Sequence, residues 1–258
     1  MKIEYSVISR GTEKAGSKGY MAITELIDNC RYLIPVNHNE RETDSLKDAL
    51  NCYSYDIENI SLSRFELISN LSLERVNFKD NILLCGLGNI GIATLIYLLD
   101  NNYKEITIYL RDKKDYMDKV LNILEKEYQV SIIVVDSIDN NISYNTYIDT
   151  TGSSLVIENI FKEIGFNKNI FLIGTPRESS YLIDPLLIHR NNLIVIGGHE
   201  LRGLTLEYRN LVFSHLLDNN KSKDFLKELV SISSYSEENL ISKLNNKSNF
   251  IEVFKYED

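Results

Sequence analysis

The sequence predicts an α/β protein built on a doubly wound, six-stranded parallel sheet, together with a smaller β-rich unit. Three observations predict it. From Asn81 onward, short apolar runs alternate with stretches of helical period. A glycine-rich turn, GLGNIG, joins the first run to the first helix. Several of the runs are apolar throughout rather than alternating, as strands covered by helices on both faces must be.

The first strand and its helix lie in NILLCGLGNIGIATLIYLL. EITIYL (Glu105–Leu110) is a second strand, rich in β-branched and aromatic residues. DYMDKVLNILEKEY (Asp115–Tyr128) carries apolar residues at helical spacing, and SIIVVD (Ser131–Asp136) is a third strand. TYIDTTG (Thr146–Gly152) is a fourth strand running into a turn, followed by the helix SLVIENIFKEI. NIFLIGTP (Asn169–Pro176) and NLIVIGG (Asn192–Gly198) complete the six. Strands that alternate with helices imply right-handed crossovers and a parallel sheet, expected over residues 77–218.

Residues 1–76 read differently. MKIEYSVI and GYMAITELI alternate, and NHNERETDS is polar throughout, which predicts a small β-rich unit with an exposed loop and one or two helices. SEENLISKLNNKSNFIEVFKYED predicts a helix followed by a strand, so residues 219–258 are expected to complete that unit.

The bulk properties narrow the function. A chain of 258 residues with 43% hydrophobic and 25% charged residues can bury a sizeable core. The net charge of −9 speaks against nucleic acid as the main partner. No apolar run is long enough to span a bilayer, and MKIEYSVISR lacks the apolar region of a secretory signal. A cytoplasmic protein with no membrane partner is expected. Cys30, Cys52 and Cys85 are odd in number and far apart, which fits reduced thiols rather than a disulfide framework. His38, His189, His199 and His215 do not have the spacing of a metal site, so no metal is expected.

GLGNIG (Gly86–Gly91, with Asn89 and Ile90 between the last glycines) fits GxGxxG between a strand and a helix. Gly86 permits the tight turn, Gly88 lets the backbone approach a pyrophosphate, and Gly91 lets helix and strand pack closely. The diphosphate of a dinucleotide would rest on the helix N-terminus. Near the ribose position, the second strand ends Leu110-Arg111-Asp112. Arg111 suits a 2′-phosphate by charge and forked donors, which favours NADP, whereas a short slip would put Asp112 on the ribose of NAD. A solvated turn is the competing reading of these residues. Thr150, Thr151 and Gly152, then Gly174, Thr175 and Pro176, and finally Gly197-Gly198-His199-Glu200 end later strands on the same edge. Turn chemistry accounts for any one of them; three together favour a cofactor cleft.

These stretches resemble the medium-chain dehydrogenase/reductase superfamily, which includes the zinc alcohol dehydrogenases. The resemblance runs through ILLCGLGNIGIATL, YIDTTGS, FLIGTPRE, LLIHRNNLIVIGGHELRG and the closing LISKLNNKSNFIEVFKYED. SVISRGTE resembles the family's cysteine-glycine-threonine-acid turn, in the form found in the bacteriochlorophyllide-type dehydrogenase branch. The resemblance implies a Rossmann cofactor domain, a GroES-like β-rich catalytic domain and hydride transfer with NADP or NAD to or from a small-molecule substrate. It also implies a homodimer formed through the sheet edge and an expected place in biosynthesis.

Arg10 stands where zinc members have a ligand cysteine, and Lys18-Gly19-Tyr20-Met21 stands where they have a His-Glu pair. The four-cysteine lobe is absent, and the segment before the fingerprint is about half the family's length. The resemblance therefore implies a zinc-independent member in which Thr12 relays a proton and Arg10 polarises an oxygen or binds a carboxylate. Glu13 is expected to orient the turn by pairing with a buried arginine. His199, with Glu200, is a second acid/base candidate, and Tyr20 a weaker one. A cofactor-binding sensor or complex subunit without turnover is the alternative, and a methyltransferase a more distant one.

Overall fold

The computed structural model describes residues 1–14, 18–74, 81–138, 143–177, 183–200, 203–245 and 250–257. Short segments separated by polar turns open the chain. They are β1 (Ile3–Val7), the short helix α1 (Arg10–Lys14), β2 (Ala22–Thr24), β3 (Arg31–Ile34) and β4 (Leu50–Tyr53). The β2–β3 connection is too short for a crossover and so pairs its strands antiparallel, and β1–β2 and β3–β4 pair that way too. Between β2 and β3, Asp28 and Asn29 both take positive φ, 48° and 61°, and Ile27 and Cys30 exchange backbone hydrogen bonds around them. Asp and Asn tolerate this left-handed backbone, which matches the twist of a hairpin. The helix α2 (Ile57–Leu73) follows. Ile60, Phe65 and Leu71 are buried on it, but so are Ser61, Ser63 and Ser72.

The chain then alternates strands with helices. The elements are β5 (Ile82–Cys85), α3 (Asn89–Asp100), β6 (Ile106–Tyr109), α4 (Asp115–Tyr128), β7 (Ile133–Val135), β8 (Thr146–Asp149), α5 (Ser154–Glu163), β9 (Asn169–Leu172), α6 (Pro185–Arg190) and β10 (Ile194–Gly197), save that β7 and β8 follow one another directly among the described residues. The strands form one parallel sheet in the order β10-β9-β8-β5-β6-β7. Every residue of β5, β6 and β8 is buried, whereas Ile133 and Ile194 on the two edge strands are exposed. On α4, Tyr116, Met117, Val120, Leu121 and Leu124 fall on one buried stripe, the helical period read from the sequence.

The last segment comprises α7 (Leu206–Asn220), α8 (Leu226–Leu229), β11 (Val230–Ser234), α9 (Glu237–Asn245) and β12 (Ile251–Lys255). β12 inserts between β11 and β1, parallel to the former and antiparallel to the latter, giving the sheet β11-β12-β1-β2-β3-β4.

The chain thus divides into two compact units, Met1–Leu67 with Gly203–Asp258, and Ile68–Arg202. These bounds differ from the expected 1–76 with 219–258 and 77–218. The first boundary falls within α2. The second falls before α7, which belongs to the first unit: the Asn51 N–H donates to Asn210 Oδ1 at 2.8 Å, and Arg209 pairs with Asp48 at 2.9 Å. Cys30, Cys52 and Cys85 are all free thiols. Among the described residues, no helix is long and apolar enough to cross a membrane.

Phe254 is fully buried on β12, the strand that joins the two ends of the chain in one sheet. Phe254→Ala is expected to destabilise the protein by about 3–5 kcal/mol in urea unfolding.

Candidate functional site

In the second unit the strand order reverses at β5 and β8. The chain runs outward from β5 through β6 to β7, then returns to β8 on the other side of β5. Loops leaving the carboxyl ends of two such strands part in opposite directions, and the crevice between them is where open α/β sheets bind ligands.

Here the floor of that crevice is made of backbone in direct contact. Gly86 has φ +95°, and a Cβ on it would come within 2.7 Å of the Thr151 methyl. A Cβ on Gly91 would lie 2.2 Å from the Gly86 carbonyl oxygen, and one on Gly152, at φ +61°, would lie 1.9 Å from the Thr175 carbonyl oxygen. A Cβ on Gly174 would meet the Gly152 nitrogen at 2.3 Å. Only glycine fits these positions. The Thr150 hydroxyl ties the loops further, donating to the Cys85 carbonyl at 2.8 Å.

Asp149 shapes the turn after β8. Its buried carboxylate accepts from the Thr151 hydroxyl at 2.6 Å and from the Thr151 and Gly152 N–H groups at 3.0 and 3.1 Å. Burial pushes its carboxyl above the usual range, while these hydrogen bonds and Arg177 pull it back.

Gly88 is the contrast. It is the N-cap of α3, it has ordinary extended backbone, and no heavy atom lies within 4 Å of where its Cβ would be. The cap position therefore carries no side chain across the helix N-terminus. Packed glycines below and an open glycine at the helix end form a cradle whose shape and N–H groups could accept a phosphate.

The structure brings Gly86, Gly88, Asn89, Ile90, Gly91, Thr150, Thr151, Gly152, Gly174 and Thr175 to the carboxyl ends of β5, β8 and β9, with Pro176 next in the chain. Arg111 follows β6, the strand next to β5; its side chain is largely exposed and lies 3.0 Å from Asp112. His199 follows the edge strand β10, three strand spacings from β5, or about 14 Å across the sheet. It is not part of the glycine cradle.

Arg10, Thr12 and Glu13 belong to the first unit. Oε1 of Glu13 accepts the Ser9 N–H at 2.6 Å, which closes the α1 turn on itself. Its Oε2 lies 3.1 Å from Nε2 of His38, and Nδ1 of His38 lies 2.6 Å from Ser6 Oγ. Ser6, Glu13 and His38 are all buried. The partner of Glu13 is thus a histidine rather than the expected arginine, because the polar run NHNERETDS tucks His38 against Gly19, where a Cβ would lie 2.8 Å from the imidazole ring. A second chain of bonds links hydroxyls. The Tyr20 hydroxyl donates to Ser9 Oγ at 2.9 Å, and Ser9 Oγ donates to Thr12 Oγ1 at 3.3 Å. The Arg10 guanidinium donates to the Lys243 carbonyl on α9. Among the described residues, no three His, Cys, Asp or Glu side chains converge as a metal site.

The sequence places Asp149 at the end of a cleft strand with Thr150, Thr151 and Gly152, and the structure adds Ser9 and His38 to the residues that shape these turns. Asp149 was legible as an acid ending an apolar strand before Thr-Thr-Gly, the pattern of a side chain that caps its own turn. Ser9 and His38 carry no such signal, since their partners are brought to them by the fold.

No protein-family model and no curated protein matches the sequence. Solved structures do. TarJ of S. aureus in complex with NADPH superposes with a TM-score of 0.68 at 15% identity, over 100% of this chain and 90% of that one. Acetophenone reductase from Geotrichum candidum in complex with NAD gives 0.71 at 12%, over 98% and 88%. The fold is that of a medium-chain dehydrogenase. YhdH of E. coli K-12 with bound NADPH has this fold too, with a TM-score of 0.66 at 12% identity over 98% of this chain and 90% of its own. The six-stranded parallel sheet expected from the sequence is the Rossmann half of that medium-chain dehydrogenase fold.

Gly152→Ala is expected to lower stability by at least about 2 kcal/mol in denaturant unfolding, since the added methyl meets a backbone carbonyl. Gly88→Asp is expected to leave stability within about 0.5 kcal/mol, because its side chain enters open space and Asp is a good N-cap.

Proposed function

We propose that this chain is a nicotinamide-dependent oxidoreductase that transfers a hydride to or from a small carbonyl, imine or activated alkene. The observation that carries the reading is the glycine cradle at the β5/β8 switch point. Its packed members leave backbone rather than side chains on the crevice floor, and Gly88 leaves the α3 N-terminus open to a diphosphate. Gly88, Asn89 and Ile90 would hold the diphosphate, and the loops holding Thr150–Gly152 and Gly174–Pro176 would flank the rest of the dinucleotide. When bound, the cofactor supplies the hydride; the protein orients the substrate and moves the proton.

NADP is favoured over NAD. The support is Arg111, whose exposed guanidinium follows the strand adjoining the cradle and can turn from Asp112 to a 2′-phosphate. A zinc-independent reaction is part of the proposal and rests on Arg10 at the position where zinc members carry a cysteine. So are a cytoplasmic location and a homodimer, for which β10 with its exposed Ile194 offers an edge strand.

Titration with NADPH, followed by fluorescence, tests the cradle. Wild type is expected to bind, and Gly88→Asp to weaken binding at least tenfold, because it places a negative charge against the diphosphate. Turnover is tested with ketones, imines and enones. NADPH binding without oxidation of NADPH by any of them would favour a non-catalytic sensor. Arg111→Ala is expected to reduce the preference for NADPH over NADH about tenfold or more, through loss of a charge-assisted contact. An unchanged preference would remove the case for NADP.

A further inference from the structure

The end of β4 holds an outlier. Among the described residues, nine other than glycine take positive φ, and eight of them are Asp, Asn or the helix-ending Gln129. The ninth is Tyr53, with φ 48°. A bulky side chain on left-handed backbone is strained, and such strain gathers where a ligand is held. Tyr53 ends β4 beside the register shift in its pairing with β3, and it is 46% exposed.

Tyr53 borders a cleft of about 420 Å³, within the range of small-molecule sites. The cleft lies between the turn that leads into α2 and the turn that follows α7, and all of its lining belongs to the first unit. Tyr55 stands edge-on to Tyr53 with ring centres 6.4 Å apart, and donates its hydroxyl to Asp218. Asn220, the last residue of α7, lines the same cleft and is 2% exposed. Its amide nitrogen donates to Ser63 Oγ at 3.0 Å and to Glu66 Oε2 at 2.5 Å. Both N–H groups are therefore committed, while Oδ1 is buried without a partner among the described residues and needs a donor. The charges around the cleft balance: Asp56, Glu58 and Asp224 are matched by Lys221, Lys223 and Lys227, with Lys227 3.6 Å from Asp224. Such a rim gives no net attraction to an anion or a cation. A polyol suits it, because hydroxyls both donate and accept and can bond to carboxylates, amides and ammonium groups alike. The C–H face of a sugar ring also stacks on the negative face of a tyrosine.

We propose that this cleft is a second ligand site, sharing no residue with the glycine cradle, and that it binds a neutral saccharide. A sugar ring lies against Tyr53, and one of its hydroxyls donates to Asn220 Oδ1. The strained end of β4 serves to present the tyrosine ring.

The test uses the full chain without cofactor, so it stands apart from the oxidoreductase reading. Amide resonances are followed while glucose, maltose, sodium phosphate or glutamate is added. The Asn220 side-chain amide and the backbone amides of residues 53–59 and 220–227 are expected to shift saturably with glucose or maltose, and not with phosphate or glutamate. Tyr53→Gly deletes the ring yet suits the left-handed backbone, so it is expected to stay folded and to weaken sugar binding at least about tenfold. Tyr53→Phe keeps the ring and is expected to bind as wild type does. No response to either sugar, a response confined to other residues, or undiminished affinity in Tyr53→Gly would overturn the proposal. A response to phosphate or glutamate alone would overturn it too, by making the cleft an ion site.

Discussion

Much of the second unit depends on one contact: the approach of three strand-end loops to within backbone distance of one another. The Gly91 position faces the Gly86 carbonyl, the Gly152 position the Thr175 carbonyl, and the Gly174 position the Gly152 nitrogen. Each contact holds because the glycine in it carries no side chain. With side chains there, the loops after β5, β8 and β9 would be driven apart, and the crevice at the switch point would lose its floor. Asp149 and Thr150 reinforce the arrangement from below, the first by collecting three donors, the second by binding the end of β5. Burial disfavours the Asp149 charge, so its place there is held by those donors rather than by solvent.

The first unit solves a different problem, that of holding a short polar turn still. Glu13 and His38 do this from within the core: the carboxylate accepts the Ser9 N–H, the imidazole lies against the Ser6 hydroxyl, and the two side chains meet at 3.1 Å. The rigid turn in turn keeps Ser9 between Tyr20 and Thr12. One glutamate thus supports the geometry of three hydroxyls.

What the sequence made legible was local. Strand–helix alternation from Asn81, the amphipathic α4 and the glycine fingerprint each lie within a short window, and the structure places all of them as read. The position of α2, and α7 altogether, escaped because each buries polar residues, several of which pair with the other helix. The Asn59 amide donates to the Leu217 carbonyl, and Asn220 donates to Ser63 and Glu66, across more than 150 positions of sequence. A stripe of apolar residues cannot appear on a helix whose buried face is partly amide and serine. The site divides along the same line. Its glycine loops are written in consecutive residues, whereas the Ser6–His38–Glu13 cluster is assembled from three separate segments and leaves no spacing to read.

The proposed seat of a dinucleotide is the set of packed loops together with the open end of α3. Amide hydrogen exchange on the full chain, with and without saturating NADPH, tests it most directly. New protection is expected to concentrate at residues 88–91, 150–152 and 174–175. Saturation by NADPH with those amides exchanging as before would contradict it.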